Sequence, residues 1–252
     1  MSGSNRSAPK RLLLEGLVVV ASILLAFALD AWWDDIAIQR DLRKDIEFVV
    51  LEIEANRDRI LFHIDLMERM TVAGDSLFAA MESVPEDSLI SVPDTIIWLM
   101  NNYPTLNPSL GAVEALITSG RLALIEDPAL RTALAGLRDR ITDAVEEQDK
   151  ALTLYYDHVL PIVASESRWP QADRTEDYNR EFWTLDRVPG RQLPSLGSIA
   201  VPVRRDWKRF QSERMGQYRI SVGEMQLLLA QLDTLRSMIE RQNRRDTGRS
   251  AL

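Results

Sequence analysis

The hydrophobic and polar positions of this chain fall into one saturated run followed by several periodic ones. Leu12 to Trp33, LLLEGLVVVASILLAFALDAWW, carries only two charges, Glu15 and Asp30. At about 1.5 Å rise per residue, roughly 20 apolar residues make a helix that crosses the hydrocarbon of a bilayer. No comparable run occurs again, so the sequence predicts one span carrying everything C-terminal to it. From Ile36 to about Met81 the apolar positions fall into steps of three and four: Leu42, Ile46, Val49, Ile53, Ile60, Met67, Met70, Phe78 and Met81 lie near one seam, with Asn56 and His63 in or beside it. That spacing belongs to an amphipathic helix. No proline separates it from the span, so the two are expected to form one rod.

Four prolines, Pro85, Pro93, Pro104 and Pro108, then break Ser83 to Gly111 into a turn, a short helix near Asp94 to Asn101 and another turn. Pro108-Ser109 opens a second short helix that Gly120 ends. Asp127-Pro128 supplies an N-cap and a first-turn proline for a long helix. Its seam is Leu130, Leu134, Leu137, Ile141, Val145, Gln148, Leu152, Tyr155, Val159 and Ile162. Arg138, Asp139, Arg140, Glu146, Glu147 and Lys150 form its solvated face.

Ser167 to Pro202 holds Pro170, Pro189, Pro194, Pro202, Gly190 and Gly197, together with Trp169, Phe182 and Trp183. Structureless stretches beyond about 15 residues are uncommon in compact domains and are often functional, which makes these three aromatics a candidate partner-binding loop. A last helix runs from Arg204 to about Gln242 on a seam of Trp207, Phe210, Tyr218, Met225, Leu228, Leu232, Leu235 and Ile239. The arginine-rich end beyond it is expected to fray. No strand is predicted anywhere. The expected fold is all-α, with one N-terminal transmembrane helix continuing into an elongated extramembrane helical bundle. Its parts are a cytoplasmic tail (1–11), the span (12–33), the bundle with its Pro/Trp-rich loop at 167–202 (34–246) and a flexible tail (247–252).

Composition changes this picture little. The 252 residues leave room for a domain of about 200 beyond the span, enough for a core. A net charge of −8 argues against a nucleic-acid partner, which calls for a basic face. The chain has no cysteine, which removes disulfides, thiol nucleophiles, iron–sulfur clusters and cysteine-ligated zinc.

Charge matters more at the span. A cleaved signal peptide is the rival reading, with Lys10 and Arg11 before the run and Ala26-Phe27-Ala28 as the cleavage site. Glu15 inside the apolar stretch, Trp32 and Trp33 at the level of an aromatic belt, and the unbroken helical pattern favour an uncleaved anchor. Arg6, Lys10 and Arg11 precede the span, which orients the N-terminus inside and the C-terminal domain outside, in a bacterium the periplasm. At 100° per residue, Glu15, Ser22, Ala26, Asp30 and Trp33 share one narrow arc. Either the two acids snorkel to the interfaces, or the stripe is a helix-packing face for another membrane subunit or a second copy.

Two stretches carry a resemblance. Glu15-Gly16-Leu17-Val18-Val19-Val20 leading through Ala26 to Asp30-Ala31-Trp32, and Leu116-Ile117-Thr118-Ser119-Gly120 with Leu124-Ile125 and Leu130-Arg131, are similar to blocks of a family of bacterial single-span membrane proteins of unknown function. The chain has Ala-Phe-Ala-Leu-Asp where that family carries a longer asparagine run. The resemblance implies a membrane-anchored helical protein and implies no activity.

The chain carries few motifs of catalytic or ligand-binding chemistry. None of the four lysines follows a glycine-rich phosphate loop, there is no Gly-x-Ser-x-Gly elbow, and neither histidine has a glutamate three residues before it. His63 and His158 lie on helices that could face each other, but a metal or haem site needs more ligands than two. Glu146, Glu147 and Asp149 read as helix surface. Neither a cofactor nor a catalytic residue is expected. What remains is a non-catalytic scaffold or accessory subunit of a bacterial inner-membrane complex (respiratory, photosynthetic, transport or envelope), with lipid and other membrane subunits as partners. The alternative is a periplasmic ligand-sensing bundle, which the few residues before the span disfavour because they leave no room for a cytoplasmic output domain.

Overall fold

The computed structural model describes residues 8–165 and 197–249, and the chain divides into two units, residues 1–48 and 49–252. The elements in order are α1 (Ala8–Glu82), β1 (Leu89–Pro93), α2 (Asp94–Asn101), α3 (Gly111–Thr118), a 3₁₀ turn (Arg121–Leu124), α4 (Pro128–Ala135), α5 (Leu137–Leu154), a π-helical turn (Tyr155–Val159), α6 (Leu160–Ser165), β2 (Ser198–Pro202) and α7 (Arg205–Arg249). The fold is all-α with one two-stranded ribbon.

In the first unit, among the described residues, lies the one stretch apolar and long enough to cross a membrane. The most apolar 18-residue window of α1 has a mean hydropathy of 2.0, and none of it is buried. The helix is unbroken from Ala8 to Glu82; Pro9 stands in its first turn, and the absence of proline from Leu12 to Glu82 predicts the continuous rod.

In the second unit α1, α5 and α7 build the core. Val49, Ile53, Ile60, Met67, Met70 and Met81 of the predicted α1 seam are buried, while Phe78 is half-exposed and meets Trp207 edge-on. The ion pairs Glu54–Arg236, Arg57–Asp233, Asp75–Arg219 and Glu82–Lys208 fix the direction of α7 along α1. The numbers fall on α7 as they rise on α1, so the two are antiparallel neighbours. Trp207, Tyr218, Met225, Leu228, Leu232, Leu235 and Ile239 are buried as the seam predicts, but Phe210 is not. Gln211 and Arg214 take the inward positions that the aromatic would have filled.

The caps form where expected. Asp127 accepts from the N–H groups of Ala129 and Leu130 at 2.9 and 3.3 Å, satisfying two donors that the first turn of α4 leaves open. Gly120 ends α3 with φ +73°, a left-handed conformation that glycine adopts without a Cβ clash.

Three expectations are corrected. The single helix expected from Asp127 to Ile162 is divided at Gly136 and widened into a π turn at Tyr155–Val159. Pro161 explains the widening: it has no N–H to give to the carbonyl four residues back, and its ring crowds that carbonyl. Within α5, Ala144 and Ala151 are more buried than Val145 and Leu152. Second, strands exist: β1 and β2 pair antiparallel from Leu89↔Pro202 to Pro93↔Ser198, inside regions read as turn and loop. Both prolines stand at ladder ends, where a missing donor costs least, and Val92 and Val201 turn inward. Third, α7 continues to Arg249, past the expected end near Gln242.

Candidate functional site

In the first unit the arc predicted for helix packing lies on regular α-helix. Glu15, Ser22, Ala26, Asp30 and Trp33 are all exposed. The Ser22 hydroxyl donates to the Val18 carbonyl at 2.8 Å, so this polar group is satisfied inside its own helix and needs no water. The rings of Trp32 and Trp33 meet at 5.6 Å, a compact aromatic pair at the end of the apolar run. Trp169, Phe182 and Trp183, the candidate partner loop, lie outside the described residues.

In the second unit the most elaborate polar arrangement surrounds residues 102–110, which form neither helix nor strand. Backbone groups in such a segment need partners from elsewhere; α1 and α5 supply them, and α7 holds the end of α2 just before it. Glu52, Asn56 and Arg59 of α1 recur at steps of four and three on one face. The Glu52 carboxylate accepts from Ser109 Oγ (2.8 Å) and from the backbone of Ala112 and Val113. It thereby caps α3, whose own N-cap position, Leu110, has no side chain to do so. Asn56 takes both backbone groups of Ser109, and Arg59 donates to the Asn107 carbonyl at 2.9 Å. From α5, Gln148 accepts the Leu106 N–H at 2.8 Å.

From α7, Gln211 and Arg214 both donate to the Met100 carbonyl. Arg214 is wholly buried, yet among the described residues its partners are neutral: Tyr218 Oη at 2.8 and 3.1 Å, Gln211 Oε1 at 3.0 Å and Met100 O at 3.0 Å. Two features stand in for the missing carboxylate. Met100 is in the last turn of α2, where carbonyls carry the negative end of the helix dipole. The guanidinium carbon also lies 4.8 and 5.1 Å from the ring centroids of Tyr155 and Tyr218, within cation–π range. Burial raises the pKa of Tyr155, and the nearby Arg214 charge works against that rise. The π turn points Tyr155 inward, against Tyr103 at 5.0 Å, and leaves Tyr156 and His158 outside.

The structure gives the two histidines separate surroundings. His63 Nδ1 lies 2.8 Å from the Arg59 carbonyl, so that nitrogen carries the proton, and His158 stacks on Phe210 at 4.3 Å with the planes 6° apart. Among the described residues no group of three or more His, Asp or Glu is placed to hold a metal. Glu146 and Glu147 share Lys150 at 3.0 and 2.7 Å on the solvated face of α5. A cleft of about 620 Å³ opens where α1 ends and α7 begins, its walls including Met81, Val84, Val203, Arg204, Lys208 and Arg209. Glu82 also lines it and pairs with Lys208 at 3.6 Å.

Sequence reading missed Glu52, Gln211 and Arg214. The available signal was polar residues at inward positions of apolar seams, as Asn56 and Gln148 showed. No protein-family model matches the chain, and no curated protein or solved structure is similar to it.

Proposed function

We propose that the chain is a membrane-anchored, non-catalytic scaffold or accessory subunit of a larger bacterial membrane assembly. One observation carries this reading: an 18-residue window of mean hydropathy 2.0 on a long helix, none of it covered by the chain itself. Water leaves such a surface exposed at a cost of about 25 cal/mol per Å² of apolar area, and a bilayer removes that cost. The resemblance to bacterial single-span proteins supports the same anchor. Arg6, Lys10 and Arg11 before the span put the N-terminus in the cytoplasm and the helical unit in the periplasm. Glu15, Ser22, Ala26, Asp30 and Trp33 are the face offered to other membrane subunits, and Trp169, Phe182 and Trp183 are the contacts for extrinsic ones.

The test is fractionation followed by gentle extraction. The chain should resist carbonate washing of inner membranes, dissolve only with detergent, and emerge in a stoichiometric complex that Trp183→Ala weakens. A mature chain beginning near Leu29, or a chain that stays in solution without detergent, would refute the anchor. Isolation without other subunits, unchanged by Trp183→Ala, would refute the scaffold.

A second reading, a periplasmic ligand-sensing bundle, is favoured by the cleft between the end of α1 and the start of α7. Arg204, Arg205, Lys208 and Arg209 outnumber Glu82 and Glu213 in its lining, although the first three already pair with Asp206, Glu86 and Glu82, and this excess of positive charge suits a small anionic ligand. A panel of small carboxylates and phosphates that leaves the melting temperature of the full chain unmoved would argue against it.

A further inference from the structure

The helix α7 has two apolar faces, and among the described residues the chain covers one of them. Tyr218, Met225, Leu228, Leu232, Leu235 and Ile239 are buried in the core. On the opposite side Ile220 and Leu227 stand 50% and 61% exposed. They alternate with a second row, Gly216, Gly223, Ala230 and Ser237, which places a small residue at every seventh position. This is the heptad spacing of two helices packed along a shared seam, with Ile220 and Leu227 at one seam position and the small row at the other.

Among the described residues nothing packs against the open side of these glycines. Each weakens the interior of a helix, and a Cβ built on Gly216 or Gly223 meets nothing within 4 Å. They do permit a second backbone to come close. Two polar groups on the face are satisfied within the helix. Thr234 donates to the Ala230 carbonyl at 2.8 Å and Ser237 to the Asp233 carbonyl at 2.9 Å, so both hydroxyls are turned back onto α7.

The residues flanking the seam select the occupant. In a parallel, in-register pair, the position before each large seam residue meets the position after the next small one on the other helix. That rule sets Arg219 against Glu224 of a second copy and Gln226 against its Gln231, so the face is complementary to itself. Arg219 already holds Asp75 through Nη2, which leaves its remaining N–H groups for a second carboxylate. We infer that α7 is a homodimerisation helix, pairing parallel and in register with α7 of a second copy over Gly216–Ser237.

The absence of native cysteine makes the test clean. Full-length Gly223→Cys, Ala230→Cys and Ser237→Cys, purified in mild detergent, should each give a disulfide-linked dimer on gentle oxidation. Seam positions of such a pair bring Cα atoms within the roughly 4.4–6.8 Å that a disulfide spans. Asp143→Cys, exposed on α5, should stay unlinked. A link at none of the three seam positions, or at one alone, overturns the parallel register. Gly223→Leu has open space around it in the chain, so it should retain full helicity by circular dichroism while the protein mass measured by light scattering halves. A mass of two chains that survives Gly223→Leu, or a wild-type mass of one, overturns the interface. Whether the chain needs detergent bears only on the anchor, so the two readings can fail separately.

Discussion

The side-chain amide of Asn56 pairs with the backbone of Ser109 in both directions: the Ser109 N–H donates to Asn56 Oδ1 at 2.8 Å, and Asn56 Nδ2 donates to the Ser109 carbonyl at 2.7 Å. One buried carboxamide on α1 therefore acts toward an irregular segment as a neighbouring strand would. With Glu52 one turn before it, it fixes where the chain re-enters helix at α3.

Asn56→Ala should destabilise the second unit by about 1–3 kcal/mol, because it leaves a backbone donor and acceptor without their partner. Asn56→Asp should fare no better, since it loses the donor and sets a carboxylate against a carbonyl and near Glu52. Urea unfolding of the full chain in detergent reads both. An Asn56→Ala midpoint equal to wild type would show that water replaces the pair without loss.

The Arg214 site makes a sharper demand. Arg214→Met should cost about 2–4 kcal/mol, because the Met100 carbonyl, Gln211 and the Tyr218 hydroxyl all lose a buried donor. Arg214→Lys keeps the charge without the fork and should recover only part of the loss. Thermal unfolding of the pair measures this, and a fully stable Arg214→Lys would show that charge alone suffices.

Tyr155 gives the alkaline limb of stability a direction. Its pKa is raised in the folded state, chiefly by burial and against the Arg214 charge, so the fold holds the phenolic proton more tightly than the unfolded chain does. Its contribution is therefore complete below the ordinary phenol value of about 10 and is lost as pH climbs through the higher folded value. Melting temperatures across that interval should fall less steeply for Tyr155→Phe than for wild type. Parallel profiles would remove Tyr155 as the cause.

At acid pH the corresponding group is Asp206. Burial pushes its pKa up, but hydrogen bonds from Arg204 and from the Trp207 N–H outweigh that, and the net shift is downward. A depressed carboxylate stabilises the fold above its unfolded value and loses that contribution as pH falls through the folded one. Asp206→Asn should flatten the acid limb between those points, and a profile unchanged by the substitution would contradict the assignment.

Asp127→Ala should cost about 1 kcal/mol, the usual value of an N-cap, because two first-turn donors of α4 lose their acceptor. Asp127→Ser should retain most of it. Chemical denaturation of the three proteins side by side checks the order.

What could be read from the residues alone was whatever depends on near neighbours in the chain. The apolar run at Leu12–Trp33, the α1 and α7 seams, the Asp127 cap and the Gly120 stop all rest on interactions within a few residues, so spacing was enough to place them. Tertiary structure decided the rest. Leu89–Pro93 and Ser198–Pro202 are strands only because each supplies the other's hydrogen bonds across more than 100 residues of chain, and neither segment alone distinguishes itself from a proline-rich loop. Arg214 could settle at an inward position only where α2 ends against it and Tyr155 and Tyr218 offer their ring faces. Local periodicity records which side of a helix is apolar; only the packed neighbours determine which polar group that side can accept.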